Sequence, residues 1–463
     1  MLIPTKKKDV ENLTQEELVS LVVVLITQNK KLEKENKELK KRIANLEKNS
    51  SNSSKPPSSD MNKFDKNQSL RKKTGRKPGG QKGQKRTGMS QTDTPNKVIK
   101  CKPVSHCEAC GESLENISES IKTKRQERDI PPIEVFVTEY QQIEKECSCG
   151  HHNIGQFPNH IRSPIQIGEN AKSFMVYLNI AHLLPYKRLT DVSKDLFGFS
   201  ISEGSIDNIL ESADKNAEPL HQEIMQMIKT GKWVGSDETG MRVGKKTNWL
   251  WTWQNPLGSY YALEQGRGYA VVEKHFGEDY VGNLVHDCWS AQNNTVANGH
   301  QQCHPHIQRA LEFLIKNYRS KWAHDLNNLL LTSQKARDRI WSKGFDPKLR
   351  NKIIKQYEQK LDEFIQTKLS EKDVYTLQKR IKKHRNEILF FMYDPFTPFH
   401  NNDSEKAVRQ AKVKQKISGC FRSRRGAERY ARILSAIETA KKHKLNILDS
   451  VAQLLNGSLS FAY

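Results

Sequence analysis

The sequence is short of acidic residues, short of apolar residues, and without an apolar run long enough to cross a membrane. Its 463 residues include 76 Lys and Arg but only 53 Asp and Glu, which gives a formal net charge of +23. Hydrophobic residues make up 35%, a low share for one globular unit, so we expect segments outside the packed cores. The longest apolar run, residues 18–26, is about half of a membrane span, and no signal-peptide pattern precedes it. The shortage of acid therefore predicts a polyanionic partner such as nucleic acid and disfavours a membrane protein.

Leucine recurs every seven residues near the N-terminus, which predicts a leucine-zipper coiled coil over residues 11–48. The leucines are Leu18, Leu25, Leu32, Leu39 and Leu46, and the interleaved core positions hold Val22, Asn29, Asn36 and Ile43. Leucine at one core position with β-branched residues or Asn at the other favours a parallel two-stranded coil. The charges agree, because Glu35 would face Lys40 of a second copy. We expect a homodimer through this segment; the alternative is a single solvated amphipathic helix.

Residues 49–100 are rich in Ser, Pro, Gly and Lys, a composition typical of a disordered linker. Its basic arm, residues 71–86, contains no acidic residue and eight basic ones: Arg71, Lys72, Lys73, Arg76, Lys77, Lys82, Lys85 and Arg86. The GRKPGG core resembles an arm that inserts Arg into the narrow minor groove of A·T-rich DNA. The alternative is a charge run that only keeps the chain in solution.

Four of the eight cysteines are clustered, as the pairs Cys107 and Cys110 and Cys147 and Cys149. A glycine follows each pair and allows the tight turn that points both sulfurs at one ion. The residues between the pairs alternate as strands do, so residues 101–165 are predicted to form a small structural Zn²⁺ ribbon. His151 or His152 could replace one sulfur. Since no export pattern is found, a reducing compartment is expected, and clustered thiols there favour metal ligation over disulfides.

Residues 166–231 are predicted to be helical, with a turn at Gly198 and a second helix that starts at Ser202. Two helices around such a turn could form a helix-turn-helix for DNA. They could equally pack in front of the domain that follows, and we favour this second interpretation.

From residue 232 the hydrophobic period changes to two, which predicts strands. Strands are expected at 232–243, along Trp249, Trp251 and Trp253, at 258–264 and at 280–287, with a helix at 268–277. Three antiparallel strands, a helix and a fourth strand form the first half of a ribonuclease-H-like fold. The pattern after Asp287 is helical, which predicts a helical insertion at about 299–392 in a domain over 232–455. The tryptophan stripe is expected to be core.

Three acidic residues lie in three different settings of this domain. Asp237 lies in the first strand, Asp287 ends the fourth, and Glu405 lies at the start of a helix. In this fold the two strands are neighbours and a helix brings the third acid to the same edge. Such carboxylates can hold two Mg²⁺ ions for phosphodiester cleavage. Any one of the acids alone could instead be a helix cap or a surface charge.

A series of short segments over essentially the whole chain matches one known family. After the leucine repeat they are SSNSSKPPSSD, RKPGGQKGQ, CxxCG, LPYKRLT, SDETG with WLWTW, HDCW, CHPH and NNDSEKAVRQAKVKQKISGCFRSRRGAERYA. On these segments the chain resembles the bacterial DDE transposases of the insertion sequence 66 family. The resemblance implies a catalytic triad of Asp237, Asp287 and Glu405 that holds Mg²⁺ or Mn²⁺. It also implies cleavage at the inverted repeats of an element, joining of the 3′ ends to target DNA, and a nucleoid-associated protein of the bacterial cytoplasm.

The resemblance gives expectations for further residues. Cys303 and His306 match a Cys-x-x-His signature that follows the second Asp in several transposases, and both are expected to brace the insertion. Two ligands are too few for a second metal site to be expected there. Arg309, one turn later, could reach a phosphate. Further basic residues are expected to form a DNA-binding rim, with a solvated face as the alternative: Arg409, Lys412, Lys416, Arg422, Arg424 and Arg425.

The sequence departs from the family at two places, the CxC spacing of the second cysteine pair and the His286 and Cys288 neighbours of Asp287. Neither departure removes a proposed ligand. Two rival hypotheses remain: a non-catalytic zinc-containing DNA-binding regulator or inactive relative, and a nuclease of the same fold without strand transfer. The end sequence, the target preference and the need for accessory proteins are left open.

Overall fold

The structure is a computed structural model that describes residues 13–46, 89–131 and 133–461. The basic arm at 71–86 and most of the predicted linker lie outside the described residues. No helix within these ranges is both long enough and apolar enough to cross a membrane.

The predicted coil segment is one helix, α1 (Gln15–Leu46). Thr14 and Glu17 cap its start reciprocally, since the Thr14 N–H donates to Glu17 Oε2 and the Glu17 N–H donates to Thr14 Oγ1. The five repeating leucines are exposed, whereas Leu21, which lies between Leu18 and Leu25 on the helix surface, is buried. A coiled coil would cover the leucine face with a second copy, so dimerisation stays a prediction.

The predicted zinc unit has little regular structure beyond one hairpin. Strand β1 (Glu144–Glu146) pairs antiparallel with β2 (His152–Ile154), and the second cysteine pair lies in the turn between them. Gly111 and Gly150 have φ angles of 78° and 79°, in the left-handed region that glycine adopts readily. The turn after each cysteine pair therefore forms as predicted.

Three helices precede the central sheet: α2 (Glu169–Val176), α3 (Tyr186–Phe197) and α4 (Glu203–Lys229). A π-helical segment, Tyr177–Ala181, continues α2. As predicted, Gly198 ends α3 in the left-handed conformation, and the Ser202 side chain accepts from the Ser205 N–H at the start of α4. The buried residues of α2 and α4 belong to the same hydrophobic core as the sheet, as the packing interpretation expects.

The central sheet has five strands: β3 (Trp233–Val243), β4 (Lys246–Gln254), β5 (Ser259–Glu264), β6 (Asn283–His286) and β7 (Gly299–Gln302). Their order across the sheet is β5-β4-β3-β6-β7. Strands β3, β4 and β5 are antiparallel neighbours, while β6 runs parallel to β3 and β7 parallel to β6. Helix α5 (Tyr269–His275) connects β5 to β6. The first four strands and this helix follow the order predicted from the sequence.

The tryptophan stripe is core, as predicted. Trp251 and Trp253 are buried, and their rings stack with centroids 5.6 Å apart. Trp253 also stacks on Phe276, which follows α5. Burial of these rings fixes which face of the sheet points to α5, so the other face is left for the helix that carries Glu405.

After a short helix α6 (Ser290–Asn293) and strand β7, five helices form the insertion: α7 (His304–Tyr318), α8 (Lys321–Ile340), α9 (Pro347–Gln366), α10 (Lys372–Lys383) and α11 (Arg385–Ile388). Their apolar residues form a second core that is separate from the sheet core. The start of the predicted insertion differs in one respect, because Gly299–Gln302 is the fifth strand of the sheet. The helices begin at His304.

The chain then returns to the sheet with α12 (Asn402–Ser418), α13 (Arg424–Lys442) and α14 (Ile447–Asn456). Hydroxyls on α13 protect the edge strand β5, since Ser435 Oγ accepts from the Tyr261 N–H and Thr439 Oγ1 from the Ser259 N–H. These contacts satisfy backbone groups that an open sheet edge would leave unpaired.

Candidate active site

Two of the three predicted acids lie side by side on neighbouring parallel strands. Gly235 of β3 pairs with Val285 of β6, so Asp237 and Asp287 are each two residues further along the chain, Asp237 within β3 and Asp287 directly after the end of β6. The negative charge of Asp287 raises the pKa of Asp237, so the two carboxylates lie near each other. The Glu238 N–H donates to Asp237 Oδ1 at 2.9 Å, and the Trp289 N–H donates to Asp287 Oδ1 at 3.1 Å.

The third acid reaches this pair because α12 approaches the sheet closely. A Cβ atom on Gly235 would lie 2.5 Å from Ser404 Oγ and 2.7 Å from Asn401 Oδ1, so this position has room only for glycine. Asn401 Nδ2 donates to the Ser236 carbonyl at 2.6 Å and fixes the start of the helix on β3. Glu405 lies in the first turn of α12, where the helix dipole favours negative charge.

The carboxylates affect one another electrostatically. Burial, together with the negative charges of Glu238, Asp287 and Glu405, raises the pKa of Asp237 well above its usual range. Burial also raises the pKa of Asp287, against the effects of the Trp289 N–H and the positive charges of Arg267 and Arg380. Buried carboxylates that repel each other are stabilised by a cation, so the pair is suited to hold one.

The Glu405 carboxylate contacts the insertion. Its Oε1 lies 3.3 Å from Arg309 Nη2, 3.4 Å from His306 Nδ1 and 3.9 Å from the Cys303 thiol, which donates to it. The same sulfur accepts from the Asn401 N–H at 3.2 Å. Cys303 and His306 thus connect α7 to the start of α12, consistent with the bracing role that the resemblance implies.

One group of three potential metal ligands lies within 4.8 Å of one another among the described residues, and it consists of Cys303, His306 and Glu405. Asp237 and Asp287 are not part of that group. Burial and the charges of Arg309 and Arg380 lower the pKa of His306 well below its usual range. Glu405 therefore lies between two sets of partners, the aspartates of the sheet and the side chains of α7.

Sequence reasoning missed a fourth acid, Glu238, on the opposite face of β3. Its carboxylate accepts from Arg267 at 2.5 Å and from Gln292 Nε2 at 2.6 Å. Burial and the charge of Asp287 raise the pKa of Glu238 to about 7, although Arg267 opposes this effect. The Arg267 guanidinium lies over the rings of Trp249 and Trp289, at 4.6 and 3.6 Å from their centroids. The adjacent acids of SDETG were the available signal; nothing in the sequence connects them to Arg267.

A buried arginine of the insertion, Arg380 in α10, was also missed. Its positive charge lowers the pKa of Asp287, and burial lowers the pKa of Arg380 itself. The KDVYTLQKRIKK context gives no sequence signal, because it contains several other cations. The insertion therefore contributes positive charge to the acidic site.

The model of the family described as "Transposase IS66 family" matches residues 164–429, more than half of the chain. This match includes all three acids, the sheet and the insertion. The chain belongs to the IS66 transposase family. A second family model, described as a family of unknown function (DUF6444), matches residues 5–90. No curated protein matches the chain.

Among solved structures, the crystal structure of the catalytic domain of Mos1 mariner transposase is similar to this IS66-family chain at 14% sequence identity. The match covers 38% of this chain and 90% of that one, with a TM-score of 0.12. A similarity at so low a TM-score carries no argument about the fold. The fold of the IS66-family chain is therefore described by its own strand order, a mixed α/β arrangement.

The predicted basic rim divides into two groups. Arg409, Lys416 and Arg422 are exposed. Arg424 and Arg425 form ion pairs, the first with Glu428 and Glu264 and the second, although exposed, with Glu211. Lys412 donates from Nζ to the Gly240 carbonyl on β3 at 2.5 Å, and burial lowers its pKa. The first group is thus better placed than the second to meet a phosphate backbone.

The predicted zinc ligands form two separate knuckles in this structure. Backbone N–H groups of Cys110 and Ala109 and the Cys110 thiol lower the pKa of Cys107. The N–H and thiol of Cys149 similarly lower the pKa of Cys147. Donors directed at a sulfur favour the thiolate that a zinc ion needs. The four sulfurs do not form a three-ligand group within 4.8 Å among the described residues, so shared ligation stays a prediction.

Proposed function

We propose that this chain is a DDE transposase in which Asp237, Asp287 and Glu405 hold two Mg²⁺ (or Mn²⁺) ions on a ribonuclease-H-like sheet. The proposed reaction is cleavage at the inverted repeats of its element and transfer of the freed 3′ ends to target DNA. One observation carries the proposal: Asp237 in β3 lies close enough to Asp287, directly after the parallel strand β6, and to Glu405, in the first turn of α12, for their negative charges to raise its pKa. Membership of the IS66 transposase family supports it.

The donor set fits the proposed ions. Three carboxylates offer the hard oxygen ligands that Mg²⁺ and Mn²⁺ prefer. Burial raises the pKa values of Asp237 and Asp287, and the positive charge nearby is too small to offset this effect. When bound, a pair of such ions activates the attacking water or 3′-hydroxyl and stabilises the leaving oxygen. We propose that Glu405 exchanges its contact with Arg309 for this position.

Other parts of the chain are proposed to hold the DNA. The net charge of +23 and the exposed Arg409, Lys416 and Arg422 support binding to a phosphate backbone. Contacts of this kind position DNA without reading its sequence. The basic arm at 71–86 and the knuckle unit are proposed to recognise the element ends, and the exposed leucine face of α1 to pair two copies. Accessory proteins are left open.

The test is an end-cleavage and joining assay with purified full-length protein. Its substrate is the DNA that flanks the gene, with a target plasmid, in the presence and absence of Mg²⁺. Asp237→Asn and Asp287→Asn are expected to lower cleavage by roughly 10³-fold or more, because metal positioning contributes several kcal/mol to the transition state. Binding to end DNA, measured by fluorescence anisotropy, should change little.

Glu405→Gln is expected to lower cleavage in the same way as the aspartate variants. Asp403→Asn is its matched control, since Asp403 lies in the same first helical turn but is exposed and pairs with Lys406. Full cleavage by Asp237→Asn would refute the triad. A wild-type chain that binds ends without Mg²⁺-dependent cleavage would support the regulator, and cleavage without joining would support a nuclease.

A further inference from the structure

The group formed by Cys303, His306 and Glu405 contains one sulfur, one imidazole nitrogen and one carboxylate oxygen within 4.8 Å of one another. These are the three ligand types found in zinc sites of proteins. The Cys-x-x-His spacing supplies only two of them. The fold adds the third when α12 packs beside α7.

Two of the three ligand separations in this group match a tetrahedral zinc site. Sγ of Cys303 lies 3.9 Å and Nδ1 of His306 lies 3.4 Å from Glu405 Oε1. Zinc bonds are about 2.3 Å to sulfur and about 2.1 Å to nitrogen or oxygen, so tetrahedral angles separate sulfur from oxygen by roughly 3.6 Å and nitrogen from oxygen by roughly 3.4 Å. The third pair, Cys303 and His306, has ligand atoms within 4.8 Å of each other.

His306 contributes a second, independent observation. Its Nδ1 is buried and has no hydrogen-bond partner among the described residues, although Glu405 lies nearby. A buried ring nitrogen without a hydrogen bond is unfavourable, and a metal ion would satisfy it. Backbone hydrogen bonds hold this segment in place, because the His306 N–H donates to the Cys303 carbonyl and the Cys303 N–H donates to the His286 carbonyl.

We propose that Cys303, His306 and Glu405 form a Zn²⁺ site whose occupation withdraws Glu405 from Asp237 and Asp287 and so inhibits catalysis. On binding, the S–H bond of Cys303 breaks, a Zn–S bond forms and the proton goes to solvent. Water takes the fourth position. The inhibitory part rests on the proposed function, whereas binding of the ion does not.

Arg309 competes with the ion for the same oxygen, since its Nη2 lies 3.3 Å from Glu405 Oε1. Removal of the Arg309 side chain should therefore increase the affinity of the site for Zn²⁺. Arg309→Ala is expected to tighten zinc binding by roughly fivefold, the size expected for a partly exposed ion pair. Weaker zinc binding by this variant would contradict the geometry.

The binding test counts zinc. Full-length protein is equilibrated with buffered Zn²⁺ and analysed for bound metal and for proton release. Wild-type chain is expected to hold about one ion more than Cys303→Ser and His306→Gln. The cysteines at 107, 110, 147 and 149 are present in every variant, so any zinc they hold cancels in the comparison.

Cys420→Ser is the matched control, because Cys420 is a free, half-buried cysteine outside the group. It should retain the wild-type zinc content. Circular dichroism checks the fold of each variant, and His306→Gln decides the question if Cys303→Ser does not fold. Equal zinc content in wild type, Cys303→Ser and His306→Gln would overturn the site.

The inhibition test compares each variant with itself, with and without Zn²⁺, at fixed Mg²⁺. Zinc is expected to lower wild-type cleavage by about tenfold and Cys303→Ser cleavage by less than about twofold. Equal inhibition of both would overturn the inhibitory role. If the wild-type chain never cleaves DNA, the proposed function fails while the zinc count still decides the site.

Discussion

The sheet unit and the helical insertion contribute opposite things to the candidate site. The sheet core includes large aromatic side chains such as Trp251, Trp253 and Phe276 among its aliphatic ones, and the sheet presents Asp237 and Asp287. The insertion core is built mainly on leucine and isoleucine. Its helices contribute cations and neutral ligands around Glu405. Glu405, the third acid, therefore has its backbone in a helix that packs on the sheet, whereas its carboxylate contacts side chains of the insertion.

This division makes Glu405 the point at which the insertion can control the chemistry. Its helix is fixed on β3 through Asn401 and Gly235, while its carboxylate contacts Arg309 and His306. A ligand, a DNA phosphate or a metal ion that engages either arginine or histidine would change where this carboxylate lies. The insertion is therefore a part of the site, and four sets of substitutions can test how independent the two units are.

The largest expected effect is on the free energy of unfolding, and it tests whether the two cores are separate. Leu311 in α7 and Leu250 in β4 are both fully buried, one in each core. Leu311→Ala and Leu250→Ala should each cost about 3 kcal/mol of unfolding free energy, measured by urea unfolding. If the cores unfold separately, each variant shifts a different transition. A change below about 1 kcal/mol at Leu311 would contradict the second core.

The next effect concerns the joint between α12 and the sheet. Gly235→Ala would place a Cβ atom 2.5 Å from Ser404 Oγ and displace the helix that carries Glu405. A misplacement of about 1 Å can cost about 10²-fold in rate, so cleavage should fall by that factor while DNA binding persists. Gly168→Ala is the control, because a Cβ there meets nothing within 4 Å. Unchanged cleavage by Gly235→Ala would mean that α12 is not held by this contact.

Much of the sheet and two of its acids could be predicted because their signals are local. The alternation of apolar and polar residues predicted β3 to β6, and it also predicted that Asp287 lies at a strand end. The fifth strand, Gly299–Gln302, escaped because it is short and polar. Its buried Gln301 side chain donates to the Gln302 carbonyl and completes its hydrogen bonds with the segment at the end of the insertion, through the Ile388 carbonyl and the Phe391 N–H.

The surroundings of Glu405 could not be predicted, for a related reason. Cys303, His306 and Arg309 show helical spacing, which says that they share a face of α7. Periodicity does not say which carboxylate that face meets, because the partner lies about a hundred residues later in the chain. Arg267 and Arg380 were missed likewise, since their contacts with the acids arise only when the units pack.

A smaller effect tests the junction between the insertion and the end of β6. Hydrogen bonds to Cys288 and Glu387 raise the pKa of His384 to about 9. A raised pKa stabilises the fold fully below about pH 6.5, the unfolded value, and this stabilisation is lost as the pH rises through about 9. His384→Gln should therefore be less stable than wild type by about 1–2 kcal/mol at pH 6, with the gap closing by pH 9.5.

Urea unfolding at both pH values measures this gap, and exposed His324→Gln serves as the control. A gap that widens from pH 6 to pH 9.5 would show that His384 is not stabilised in its charged form. Cys288, the partner of His384, directly follows Asp287. That result would therefore also mean that His384 does not link the insertion to the candidate site.

The smallest expected effect distinguishes the exposed rim from the paired one. Each phosphate contact contributes about 0.9 to the slope of log affinity against log salt concentration. Arg422→Ala should lower that slope by about this amount, because Arg422 is exposed. Arg425→Ala should change it little, since Arg425 is paired with Glu211. Fluorescence anisotropy across a salt series measures the slope for both variants. The reverse result would mean that DNA breaks the ion pair between Arg425 and Glu211. In that case the helices packed against the sheet, rather than the segment after α12, would contact the DNA backbone.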